Sequence, residues 1–274
     1  MALQKKTLEL IEQAYNILNE YNPMTLRQVY YQLVSKHVIE NKMSQYKRLS
    51  PVLVRARKEG NIPWEWIEDS GRLPRGVSMW QGLPDFIETV KTAYRKDIWN
   101  SQPTYIEVWL EKDALSGIFA DIINQYGVTL CVAKGYSSWS VYKEASTRFK
   151  KQDKPVKILY FGDFDPSGED MVRAIRDSLS FLGTCPEIIK VALTHEDITE
   201  YNLPPDYAKK TDTRAKSFIE RHGDIAVELD ALPLPVLQQK IKQSIEDNID
   251  MEAIYTVQDI ENQERKELVN LFNK

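Results

Sequence analysis

The chain has 274 residues, 42% of them hydrophobic and 28% charged, which suits one large or two ordinary folded domains of a soluble globular protein. No apolar run approaches membrane-spanning length, and the N-terminus is an amphipathic, Lys-containing stretch rather than a signal peptide, so the reading is a cytoplasmic protein without a membrane partner. The formal net charge of -4 excludes a uniformly basic nucleic-acid binder, but its distribution is uneven. Lys42, Lys47, Arg48, Arg55, Arg57 and Lys58 fall in one stretch without an acidic residue, whereas acids outnumber bases from Asp224 onward.

In chain order, Leu8, Ile11, Ala14, Tyr15 and Leu18 recur at three- and four-residue steps and predict an amphipathic helix over 5–20. Asn22-Pro23 breaks it, and Thr25 is placed to cap a second helix running to about Lys36. A third helix fits 43–59 and ends at Gly60. Ile62-Pro-Trp-Glu-Trp-Ile67 and a turn at Gly71 follow. Three short helices and a hairpin suggest a winged helix over residues 1–71, whose third helix enters the major groove of double-stranded DNA. The basic stretch lies on that third helix, which makes its six cations the candidate DNA-binding residues; a solvated helix face is the plain alternative.

Residues 72–104, rich in Pro and Gly, read as a linker with one helix from Pro84 to about Trp99. From Tyr105 strands and helices alternate: strands over 105–110, 128–133, 156–162 and 187–192, with helices over 113–125, 139–151 and 167–181 between them. Such alternation implies right-handed crossovers and a buried parallel sheet in an α/β domain spanning 105–274. A further helix is expected over 234–249 within a C-terminal extension. Cys131 and Cys185 have no nearby second cysteine, and both read as buried thiols. His37, His195 and His222 show no zinc spacing.

The chemistry concentrates at two strand ends. Ile158-Leu-Tyr-Phe-Gly162-Asp163-Phe-Asp165-Pro166-Ser167-Gly168 is an apolar strand closing in two carboxylates one residue apart, followed by a helix-opening turn. Val108-Trp-Leu-Glu111-Lys112 ends a second strand in an acid. Carboxylates suit Mg²⁺ or Mn²⁺, and ligands of open parallel sheets bind beyond the carboxyl ends of the strands. Glu111, Asp163 and Asp165 are therefore the candidate metal residues, and a phosphate is the expected ligand. Glu107 and Asp113 are weaker candidates, as are Lys112, the Gly135-Tyr-Ser137-Ser138 turn, and Ser167-Gly168 for phosphate.

In the second helix, Leu26, Val29, Tyr30 and Leu33 share one stripe, while Arg27 and Tyr31 line up beside it. Tyr30 reads as core and Tyr31 as available. A free phenol is a poor nucleophile at neutral pH, and Arg27 is placed to stabilise its anion or an attacked phosphate.

Glu-Lys closing one strand and Asp-x-Asp-Pro-x-Gly closing a later one, with this Arg-x-x-x-Tyr segment upstream, resemble the topoisomerase VI A subunit and its meiotic double-strand-break relatives, which join a winged helix to a Toprim domain. Glu228-Leu-Asp-Ala-Leu232 is similar to that family's closing motif. The resemblance implies a metal held by Glu111, Asp163 and Asp165, Tyr31 as nucleophile with Arg27 as its electrostatic partner, and a homodimer in which tyrosine and metal come from different subunits. The chain is shorter than typical A subunits, which leaves an ATPase B-type partner in doubt. Three alternatives stay open: a hydrolytic Toprim nuclease that does not use the tyrosine, a non-catalytic DNA-binding component of a larger assembly, and a small-molecule phosphate enzyme.

Overall fold

The computed structural model describes residues 5–68, 77–133, 139–205 and 214–272. Its N-terminal unit runs α1 (Lys5–Tyr21), β1 (Met24–Thr25), α2 (Leu26–Ser35), α3 (Met43–Lys58) and β2 (Ile67–Glu68), the two short strands pairing in parallel. Thr25 caps α2 in a reciprocal box: its hydroxyl accepts from the Gln28 N–H, and Gln28 Oε1 accepts from the Thr25 N–H. The core face of α1 is Leu10, Ile11, Ala14, Ile17 and Leu18, rotated from the expected stripe, with Leu8 and Tyr15 exposed at its edge. The three helices pack on one another, and the expected hairpin turn at Gly71 lies outside the described residues.

The second unit is a four-stranded, all-parallel sheet made of β3 (Tyr105–Leu110), β4 (Thr129–Val132), β5 (Val156–Phe161) and β6 (Glu187–Ala192), in the order β4-β3-β5-β6. Alternation along β3 sends Ile106, Val108 and Leu110 to one face and Tyr105, Glu107 and Trp109 to the other. The first face is covered by α5 (Ser116–Ile123) and α10 (Leu234–Glu246), the second by α6 (Trp139–Phe149) and α7 (Pro166–Phe181). Because β4 lies on one side of β3 and β5 on the other, the chain reverses direction across the sheet between β3 and β5. A crevice opens at such a reversal, beyond the carboxyl ends of the two strands.

The C-terminal extension is helical, with elements beyond the one expected over 234–249. Short helices α8 (His195–Glu200) and α9 (Ala215–His222) precede α10, and a long helix α11 (Met251–Phe272) ends the described chain. The helix expected to reach Trp99 stops earlier, as α4 (Leu83–Ala93), because the following segment is tied to α11: Glu261 accepts from the Lys96 N–H at 2.6 Å, Glu264 from Tyr94 Oη at 2.5 Å, and Arg265 donates to the Tyr94 carbonyl. Gln102 adds a two-way pair with the Asp250 backbone. The second half of the expected linker is thus a fixed part of the fold. Cys185 is exposed rather than buried, because β6 begins only two residues later at the rim of the sheet; Cys131 is half-buried. Among the described residues no helix is long and apolar enough to cross a membrane.

Glu107, one of the weaker metal candidates, has a structural task. Fully buried on the α6 side of the sheet, it receives both Arg148 Nε (2.7 Å) and Nη2 (3.0 Å), Trp109 Nε1 and Tyr105 Oη. Removing one partner of a buried pair leaves an uncompensated charge. Arg148→Met should cost about 3–5 kcal/mol in urea unfolding, and the double variant Glu107→Gln/Arg148→Met should recover part of that loss.

Candidate functional site

The strand reversal brings together the residues singled out at the strand ends. Glu111 follows β3 and Asp163 follows β5; Glu111 Oε2 accepts from the Asp163 N–H at 3.1 Å and from Tyr160 Oη at 3.2 Å. Two glycines allow this closeness. A Cβ on Gly162 would lie 2.5 Å from Tyr160 Oη and 2.6 Å from Glu111 Oε2, and one on Gly168 would overlap the Asp163 carbonyl oxygen. Asp165 caps α7, its Oδ1 accepting from the Gly168 N–H at 2.6 Å, so that helix terminus is already occupied by a protein carboxylate. Asp163 Oδ1 accepts from the Leu229 N–H at 2.8 Å. The Gly135–Ser138 turn lies outside the described residues.

Among the described residues no three His, Cys, Asp or Glu side chains are gathered as a ready-made metal cage. Glu111, Asp163 and Asp165 share the edge, but each is turned to a protein donor. Their donor chemistry nevertheless fits a hard divalent cation, and the edge carries uncompensated negative charge. Burial, with the neighbouring Asp165, raises the Glu111 pKa against the opposing Asp163 N–H. Burial raises Asp163 to about 6, the Lys112 ammonium opposing and the Glu111 carboxylate adding to the shift. Among the described residues the buried Asp230 Oδ1 has no hydrogen-bond partner.

Lys112 is the hub of the site. Its ammonium donates to Glu228 Oε2 at 2.7 Å and Asp230 Oδ2 at 2.5 Å, and it lies 3.3 Å from Asp163 Oδ1. Burial disfavours its charge, yet Asp230, Asp163 and Glu228 outweigh that cost and hold its pKa above the ordinary lysine value. Glu228 and Asp230 belong to the acidic-apolar motif noted in the sequence, but their convergence on Lys112 carried no sequence signal, because more than a hundred residues separate them.

The same motif reaches the N-terminal unit. Arg27 Nε and Nη2 meet Glu228 at 2.8 and 2.9 Å, so α2 docks directly on residues 228–230. Tyr31 faces this cluster but is not available as expected: it is 5% exposed, packed edge-on against Tyr30 at 5.1 Å within the core shared by both units. The docking of α2 covers it. Burial first, then the Glu228 charge, raises the phenol pKa, with Arg27 and Lys112 opposing.

The basic stretch divides. Lys42, Lys47, Arg48, Arg55 and Lys58 are exposed, the last four spaced along one outer stripe of α3. Lys42 pairs with Glu40 and Arg55 with Glu59, both at 2.6 Å, so acids flanking the stretch neutralise part of it. Arg57 is not a free cation: it donates to the Trp64 and Ile67 carbonyls and lies 4.4 Å from the Trp64 ring centre, where it fixes the approach to β2.

Since Asp163 titrates higher in the folded chain than when unfolded, its ionisation opposes folding progressively from about pH 4 to pH 6. Asp163→Asn should therefore melt at a higher temperature than the parent above pH 6 in chelator, with the difference gone below pH 4; Mn²⁺ should raise the melting temperature of the parent and not of the variant. Gly168→Ala, which sets a methyl group against the Asp163 backbone, should cost about 1–3 kcal/mol in the same assay.

No family model matches the chain, and no curated protein matches it significantly.

Proposed function

We propose that the chain is a DNA-cleaving transesterase resembling the topoisomerase VI A subunit, built from a winged-helix unit and a Toprim-type domain. The observation that supports this reading is that α2, bearing Arg27 and Tyr31, docks on residues 228–230, whose Glu228 is also held by Lys112 beside the strand ends that bear Glu111, Asp163 and Asp165. The order α1-β1-α2-α3-β2, with cations along the outer stripe of α3, supports the DNA-binding part. A homodimer and an ATPase B-type partner follow from the resemblance alone.

In the proposed reaction Tyr31 Oη attacks a backbone phosphorus, an O–P bond forms as the bond to the 3′ oxygen breaks, and the phenol proton goes to that leaving oxygen. The product is a 5′-phosphotyrosyl end and a free 3′ hydroxyl. Arg27 holds the attacked phosphate and stabilises the phenolate. A divalent cation on Glu111, Asp163 and Asp165 would supply charge neutralisation at the phosphate. The packing around Tyr31 excludes water, so α2 must shift before the phenol reaches a phosphate.

The burial of Tyr31 and the engagement of Arg27 by Glu228 favour a second reading, a hydrolytic nuclease whose chemistry needs only the carboxylate edge. One experiment separates the two. Parent, Tyr31→Phe and Asp163→Asn proteins are incubated with supercoiled plasmid and Mg²⁺ or Mn²⁺, then denatured and assayed for DNA bound covalently to protein. The transesterase predicts a covalent 5′ link in the parent alone. Equal cleavage by parent and Tyr31→Phe without a link assigns the hydrolytic reading, and absence of cleavage at any metal concentration overturns both. In a binding assay Lys47→Ala/Arg48→Ala/Lys58→Ala should weaken duplex affinity and lower the slope of log K against log salt by about 2–3.

A further inference from the structure

Arg27 and Lys112 come from different units of the chain and hold one carboxylate between them. Arg27 grips Glu228 with Nε and Nη2 at 2.8 and 2.9 Å, and Lys112 Nζ meets Glu228 Oε2 at 2.7 Å. A guanidinium fork with an added ammonium around a planar anion receives phosphate as readily as carboxylate.

The three acids around Lys112 are not equivalent. The Asp230 side chain is fully buried and that of Asp163 is 15% exposed, whereas Glu228 is 29% exposed and Arg27 38%. Glu228 can therefore swing into solvent while Asp230 and Asp163 keep Lys112 in place. A backbone phosphate carries one negative charge, the same as Glu228, so an exchange leaves the charge balance of the cluster unaltered.

Resting on the reading of the chain as a DNA-cleaving protein, we propose that Arg27 and Lys112 form a subsite for one DNA backbone phosphate and that Glu228 is its built-in placeholder. Before DNA arrives the carboxylate fills the Arg27 fork, while Asp230 and Asp163 keep Lys112 paired. Its displacement also removes the shorter of the two Arg27 ion pairs to residues 228–230, leaving the one to Asp230 at 4.0 Å, so phosphate binding weakens the docking of the helix that carries Tyr31. Glu228 is thus a gating residue, and no bond to it forms or breaks during cleavage.

The test is binding in chelator, which keeps it independent of the metal. Inorganic phosphate and a fluorescent DNA duplex are titrated against the parent, Glu228→Gln, and Arg27→Ala/Glu228→Gln proteins, with Glu228→Ala as the second single variant if the amide perturbs folding. The expected result is about tenfold tighter binding of both probes by Glu228→Gln, lost again in the double variant. Unchanged or weaker phosphate binding by the folded single variant overturns the proposal, as does a gain that survives removal of Arg27. Tighter phosphate binding with unchanged duplex binding overturns the assignment to DNA and leaves an anion subsite, which distinguishes failure of the functional reading from failure of the placeholder.

Discussion

The arrangement of this molecule depends on one buried ammonium. Lys112 lies among carboxylates from two separate segments, Asp163 after the third strand of the sheet in sequence and the pair Glu228 and Asp230. Without a cation there, three acids would face one another in a site with little solvent to screen them, and such a cluster either protonates or expands. With it, the strand ends, the 228–230 segment and, through Arg27, the N-terminal unit become one electrostatic assembly. Apolar packing holds the elements together, but this charge cluster fixes their register at the edge where chemistry is proposed.

The sheet prepares the ground. Order reversal between β3 and β5 places two strand ends side by side, and the sequence supplies an acid at each. Gly162 and Gly168 then let the backbone pass closer to Glu111 and Asp163 than any side chain would allow. The face opposite α5 is held by different means, an internal Glu107–Arg148 pair with every acceptor used, so the acids on β3 and just after it serve separate ends.

Much of this was legible in the sequence because it is local. Thr25 and Gln28 announce a helix start, strand and helix periods from Tyr105 to Ala192 are regular, and Gly162-Asp163-Phe-Asp165 marks a strand end. What escaped detection is non-local. Tyr31 sits at the edge of the α2 stripe, and its burial comes where α2 packs on residues 228–230 far along the chain. Arg57 counts as one more cation in a basic run until Trp64 and the Ile67 carbonyl are brought to it. Among its described side chains the long helix α11 buries the apolar Ile254 and Val257, while Glu261 and Arg265 face a segment far upstream.

The ties between α11 and residues 94–102 bear on how the chain matures as it leaves the ribosome. The N-terminal unit and all four strands of the sheet are synthesised before residues 228–230 and α11 exist, so the Arg27–Glu228 pair and the ties of α11 to residues 94–96 cannot form during that interval. The nascent chain would meanwhile hold Lys112 with two of its three counter-ions missing. These ties close once the chain from Glu228 onward has emerged, which makes assembly of this site a late step in biosynthesis.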